Sequence, residues 1–246
     1  MNAPRQERDR YAIFVEPPAT RGIPLGVQPK LESWDATGSP SQIALSGYLD
    51  HVEALLAASP LSLDKNALVL SLSVGLPATT ALTVGGRDLD NYVFPIIRRL
   101  GAARFVSVWA NKSHGTSSVD VDGAVQGEMK MLSDWQFACA IARSGSQTSA
   151  WKHEIADQIG LHATPIEGDG PVELQLSFRL HPRRNWSMVW KPAIDALGCV
   201  LGDDSGGRPF HPKDDRIVRL GLHRLDDATL GNAIEVGVWW RRTPGT

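Results

Sequence analysis

Two carboxylates stand one residue apart in "GGRDLDNYVFPIIRRLG" (85–101), on the doorstep of a helix. In an extended D-x-D both side chains point the same way, so Asp88 and Asp90 can reach one cation. Magnesium favours a few carboxylates with waters left in its octahedral shell. Such an ion stabilises charge on a phosphodiester and makes a water nucleophilic. The plainer reading is a helix cap by Asp90 or Asn91, worth about 1 kcal/mol. A cap accounts for one acidic residue and leaves the second, and the glycine pair before it, unexplained. In "PKDDR", Asp214 and Asp215 suit either a turn before a strand or a metal shell, and Asp203 and Asp204 compete with them in the same loop. Lys191 falls in the first turn of a helix, where it opposes the helix dipole. An anion partner would give a reason for it, and an ordinary surface lysine is the alternative.

Other chemistries find less support. The seven histidines show no HxH or HExxH spacing, so a zinc enzyme is not expected, although His211 in the acidic loop is placed to assist proton transfer. G-x-G-x-x-G and G-x-S-x-G are both absent. Cys139 and Cys199 lack CxxC spacing and read as buried thiols. The opening "MNAPRQERDR" has no apolar signal core, and "ALVLSLSVGLP" is broken by Ser, Gly and Pro. A cytoplasmic protein with no membrane partner is therefore expected. With a net charge of −2 and a pI near 6.4, no global positive field draws nucleic acid. Any such contact must be local, and the pairs Arg183–Arg184 and Arg98–Arg99 are the candidates.

The elements that position these residues recur along the chain. "LVLSLSVGLP" (68–77) and "VELQLSFRLHP" (172–182) alternate as strands and share L-x-L-S-x-x-L. The helices "NYVFPIIRRLG" and "MVWKPAIDALG" follow and share P-x-I-x-x-L-G. Pro95 matches Pro192 as a first-turn proline, and Gly101 matches Gly198 as a stop. Further strands come at 104–112 and 216–224. Upstream, 11–18 and 135–143 read as opening strands, and 41–59 and 149–162 as amphipathic helices. "VGVWWRR" (236–242) reads as a last strand with Trp239 and Trp240 facing opposite sides. The polar segment 113–128 is the linker candidate. Two strand-helix-strand-helix-strand repeats, 1–122 and 123–246, give an α/β (α+β) fold by duplication. The acids missing before the second helix appear in the loop after it, the pattern of one site shared by two repeats.

"RDLDN" (87–91), "WKPAIDALG" (190–198) and "DDRIV" (214–218) together resemble the RusA-like Holliday junction resolvases. Members of that family are small dimeric α/β proteins that cut branched DNA with magnesium-dependent carboxylates. The resemblance implies an intramolecular pseudo-dimer, for which a monomer suffices, acting on branched or duplex DNA in recombination and repair. It implies Mg2+ (or Mn2+) held by Asp88, Asp90 and Asp215, with Asp214 beside them, and Asn91 as a structural neighbour. Lys191 would stand near the scissile phosphate. In the family these elements share one subunit; here they are split between the halves. The alternative is a duplicated DNA-binding or scaffold protein that kept the fold and lost cleavage.

Overall fold

The computed structural model describes residues 5–57, 67–203 and 208–243. In chain order the elements are α1 (Arg5–Arg8), β1 (Ile23–Pro24), α2 (Pro40–Ala57), β2 (Leu68–Leu76), α3 (Leu89–Leu100), β3 (Phe105–His114) and β4 (Ser118–Gly123). They continue with β5 (Gln136–Ala142), α4 (Ser149–Gly160), β6 (Val172–Leu180), α5 (Trp190–Asp195), α6 (Gly198–Leu201), β7 (Ile217–Asp226) and β8 (Ile234–Arg242). The strands make one eight-stranded mixed sheet in the order β1-β4-β2-β3-β7-β6-β8-β5. The boundary at 122/123 falls at the end of β4, and both halves share this sheet and its main core. No helix among the described residues is long and apolar enough to cross a membrane.

The alternation in β2 buries Leu70, Leu72 and Val74, while Ser71 and Ser73 stay half-buried. α3 buries Val93, Ile96, Ile97 and Leu100, one apolar stripe at helical spacing, and ends on Gly101 at φ 90°, where a side chain would be strained. Pro95 is not in the first turn, because α3 starts at Leu89, two residues before the expected Asn91, and makes it the seventh residue. A proline there has no N–H for the carbonyl four residues back. That carbonyl, on Asn91, accepts instead from the Glu32 N–H at 2.8 Å. Pro192 frees the Met188 carbonyl in the same way, and Gln147 Nε2 takes it at 2.8 Å. Each proline thus ties the segment before α2 or α4 to the start of the central helix of its half. Gly198 does not stop the second helix: it opens α6.

The strand pairings repeat in register. β2 runs parallel to β3 from Leu68↔Phe105, with a shift after the first pair, to Val74↔Lys112 and beyond. β6 runs parallel to β7 from Val172↔Ile217, with the same shift, through Phe178↔Arg224. β4 and β8 lie antiparallel on the outer sides of β2 and β6. β3 and β7 pair antiparallel across the middle, with Trp109 opposite Gly221 at the centre. A Cβ on Gly221 would stand 3.0 Å from the Trp109 ring and from Gln175 Cγ. Gly221→Val is therefore expected to destabilise the fold by on the order of 2 kcal/mol through overpacking. The check is a urea midpoint, and an unchanged midpoint would mean that the central pair has room to spare.

Residues 11–18 form no strand; Phe14 makes a single bridge to Gln126. Their apolar character serves packing, because Tyr11 and Ile13 join Leu132, Trp135, Phe137 and Trp239 in a small second core. Ser177 Oγ donates to the Ala12 carbonyl, holding this N-terminal segment against the second half. The polar segment 113–128 is not simply a linker, since it contains the end of β3 and all of β4. Trp239 and Trp240 are both buried, one in each core. Cys139 and Cys199 are free and half-buried. Of the helix drawn over 41–59, residues 58 and 59 lie outside the described residues.

Candidate active site

The end of β3 abuts the approach to β7, and the starts of α3 and α5 converge on that point. Lys112, the last buried residue of β3, donates its ammonium to the carbonyls of Arg87 (2.9 Å) and Asp215 (2.6 Å). It thereby staples the loop before α3, in the first half, to the turn before β7, in the second. Asp88 occupies the N-cap position of α3 with extended backbone, but its side chain makes no capping bond. Its Oδ2 accepts from Asn91 Nδ2 at 3.1 Å, and its Oδ1 is buried with no hydrogen-bond partner. Asp90 lies in the first turn and is only 4 % exposed. Capping therefore explains neither carboxylate.

Lys191 reaches this group from the first turn of α5. Its Nζ lies 2.5 Å from Asp214 Oδ2, 3.3 Å from Asp195 Oδ1 and 3.9 Å from Asp88 Oδ2. Asp195 also receives Lys152 at 2.6 Å. Two clefts flank the cluster. One, of about 510 Å³, is lined by Asp88, Asp214, Asp215, Asp169 and His211 among others. The other, of about 200 Å³, has Asp90, Lys191 and Asp195 on one side and Trp34, Phe94 and Trp190 on its walls.

Five carboxyls face three ammonium groups here, Lys112, Lys191 and the Lys152 that meets Asp195, and burial is the largest influence on the titration of Asp88, Asp90 and Lys112. Burial, and then the charge of Asp214, push Asp88 up to about 6, against the pull of Lys191 and Lys112. Burial pushes Asp90 up to about 7; Lys191 opposes this and Asp214 adds to it. Burial brings Lys112 down to about 8 although Asp88 and Asp215 favour its charge. Burial also works against the charge on Lys191, but Asp90, Asp214 and Asp195 outweigh it and hold that ammonium above the ordinary lysine range. From about pH 4 to 7 the folded chain keeps carboxyl protons that the unfolded chain has released, so these groups make stability fall as pH rises through that window. Asp90→Asn is accordingly expected to stabilise the chain at pH 8 by on the order of 2 kcal/mol and to change little at pH 5. Melting temperatures at the two pH values check this, and a fall at pH 8 would contradict it.

Asp88, Asp90, Asn91, Lys191, Asp214 and Asp215 thus come together from both halves. Asp214, rather than Asp215, makes the contact with Lys191, and Asp215 contributes its backbone carbonyl and a share of the cleft wall. Asp203 pairs through its backbone with Pro212, and Asp204 lies outside the described residues. The paired arginines are elsewhere. Arg98 and Arg99, in the last turn of α3, meet Glu32 (3.3 Å), Asp50 (2.6 Å) and Glu53 (2.8 Å). Arg183 and Arg184 follow β6, beyond the opposite ends of the central strands, and Arg184 donates to the Asn232 carbonyl at 2.5 Å. The sequence reading missed Lys112 and Asp195. Lys112 stands two residues past buried Ala110 and four past buried Val108, an inward position on a strand. Asp195 is four residues after Lys191 on a helix, a pairing distance.

No protein-family model matches this sequence, and no curated protein matches it either.

Proposed function

We propose that this chain is a magnesium-dependent, structure-selective endodeoxyribonuclease of the RusA-like kind, with its two halves standing in for the two subunits of a dimer. The repeated strand register, shift included, supports duplication. One observation carries the activity. Acids at 88–90 and at 214–215, more than a hundred positions apart, are gathered around Lys191 with one buried carboxylate oxygen left without a partner. A buried acceptor left unmatched is disfavoured, and a cation would satisfy it. The surplus of carboxyls over ammonium groups suits a divalent ion in the same way. Asp88, Asp214 and Asp215, which line one cleft, would hold it, with Asp90 on the adjoining cleft beside them, and magnesium would supply charge stabilisation at phosphorus and an activated water. Lys191 would steady the scissile phosphate, and His211, on the wall of the cleft, would assist proton transfer. The substrate is branched DNA, met in the cytoplasm during recombination or repair.

A second reading draws on the same contacts. Lys191 already bridges Asp88, Asp195 and Asp214, an arrangement that also suits a binding or scaffold protein whose cleavage has decayed. Incubating a labelled four-way junction and a matched linear duplex with Mg2+ or Mn2+ separates the two. Cutting of the junction alone, abolished by chelation, is the expected result. Binding without cutting favours the second reading, and neither binding nor cutting would overturn both.

A further inference from the structure

The repeated register gives Lys112 a counterpart in the other half, and the matching helices and strand starts give the other site residues theirs. Lys112 lies opposite Val74 in one parallel pair, and Arg224 lies opposite Phe178 in the other. The two cations even make the same contact. Lys112 donates to the carbonyl of Asp215, two residues before β7, and Arg224 donates to the carbonyl of Ala103 (3.3 Å), two residues before β3. Around Arg224, however, the acids are gone. Ala102 and Ala103 stand where Asp214 and Asp215 stand in the first position. Aligning the helices on Pro95 and Pro192 puts Asn185 and Ser187 in place of Asp88 and Asp90, and Phe94 in place of Lys191. The nearby carboxylate, Asp226, is taken up by Arg224 itself at 2.6 and 3.0 Å. His181, Arg183 and Arg184 add further basic groups in the adjoining loop.

We infer that the chain cuts one strand of a two-fold symmetric branched DNA and leaves the related strand intact. This rests on the endonuclease reading and specifies its product. In the single cut, a water oxygen forms a bond to phosphorus and the ester bond from phosphorus to one sugar oxygen breaks. The proton lost by the water ends on that sugar oxygen, so one fragment carries the phosphate and the other a hydroxyl. Nothing is oxidised or reduced. At the counterpart position no free carboxylate remains among the described residues to hold a cation or orient a water, so no second cut is made there.

The test uses a supercoiled plasmid that extrudes a cruciform, with Mg2+ and protein below one chain per plasmid. A single nick releases the supercoiling and gives a nicked circle, whereas paired cuts across the junction give linear plasmid. Nicked circles as the first product are expected, with the supercoiled form lost into them. Linear plasmid as the first product would overturn the inference while upholding the nuclease, including the case in which two chains act together. That case would be recognised by loss of linear product when excess Asp88→Asn/Asp90→Asn chain is mixed in. A plasmid left uncut would overturn the nuclease reading and the inference with it.

Discussion

Asp88→Asn/Asp90→Asn is expected, on the proposed endonuclease reading, to lower junction cleavage at least about 100-fold, because it would take carboxylate charge out of the proposed metal site and with it several kcal/mol of transition-state stabilisation. Asparagine fills the same volume, so the start of α3 keeps its packing, and Asp88 gives up no capping bond because it makes none. Removing the charge of half-buried Asp88 and buried Asp90, whose carboxyls are pushed up to about 6 and about 7, also relieves repulsion within the cluster. The variant is therefore expected to fold, to bind the junction about as well as the wild type, and to melt at or above the wild-type temperature at pH 8. Cleavage at the wild-type rate would remove these carboxylates from the chemistry. A variant that fails to bind would show that they shape the surface rather than act on phosphate.

Lys191→Ala carries a large and pH-dependent expected effect on stability. Its ammonium is the shared counter-ion of Asp88, Asp195 and Asp214 and offsets the charge of buried Asp90. Removing one partner of a buried charge network is strongly destabilising, but the side chain is 43 % exposed, so solvent screens part of the loss. A destabilisation of on the order of 2 kcal/mol at pH 8 is expected. At pH 5, Asp88 and Asp90 hold their protons and need no counter-ion, so the loss shrinks there. Mg2+ is expected to restore part of the stability at pH 8, since a cation that binds only the folded chain stabilises it by mass action. Urea midpoints at both pH values, with and without Mg2+, test this. An equal loss under all four conditions would mean that Lys191 contributes packing alone.

Much of this arrangement could be read from local patterns. The alternation of β2 and β6, the apolar stripe of α3 and the glycine after it are set by neighbours a few residues apart, and sequence spacing reports such neighbours directly. The D-x-D at the start of α3 was legible for the same reason. β4 was harder to see: Val119 and Val121 alternate with Ser118, Asp120 and Asp122 as a strand would, but Gly115, Gly123 and the acidic residues give the stretch the composition of a loop. Residues 11–18 misled in the opposite sense, because burial against Trp239 selects the same residue types as strand pairing. The meeting of Asp88 with Lys191 and Asp214 is a tertiary fact. It follows from the antiparallel pairing of β3 with β7 around Trp109 and Gly221, which no local pattern encodes. Lys112 holds that junction closed through two backbone carbonyls, and a sequence does not say which carbonyls a lysine will meet.

A shared site makes one demand that a site built within either half does not: losing an acid from one half must disable the contribution of the other. Titration of Mn2+ into the free protein, followed by electron paramagnetic resonance, measures this most directly, with wild type compared against Asp88→Asn and Asp214→Asn. Binding of one ion by the wild type, and its loss in both single variants, is the expected result. Binding that survives Asp214→Asn unchanged while Asp88→Asn abolishes it would contradict a site assembled from the two halves.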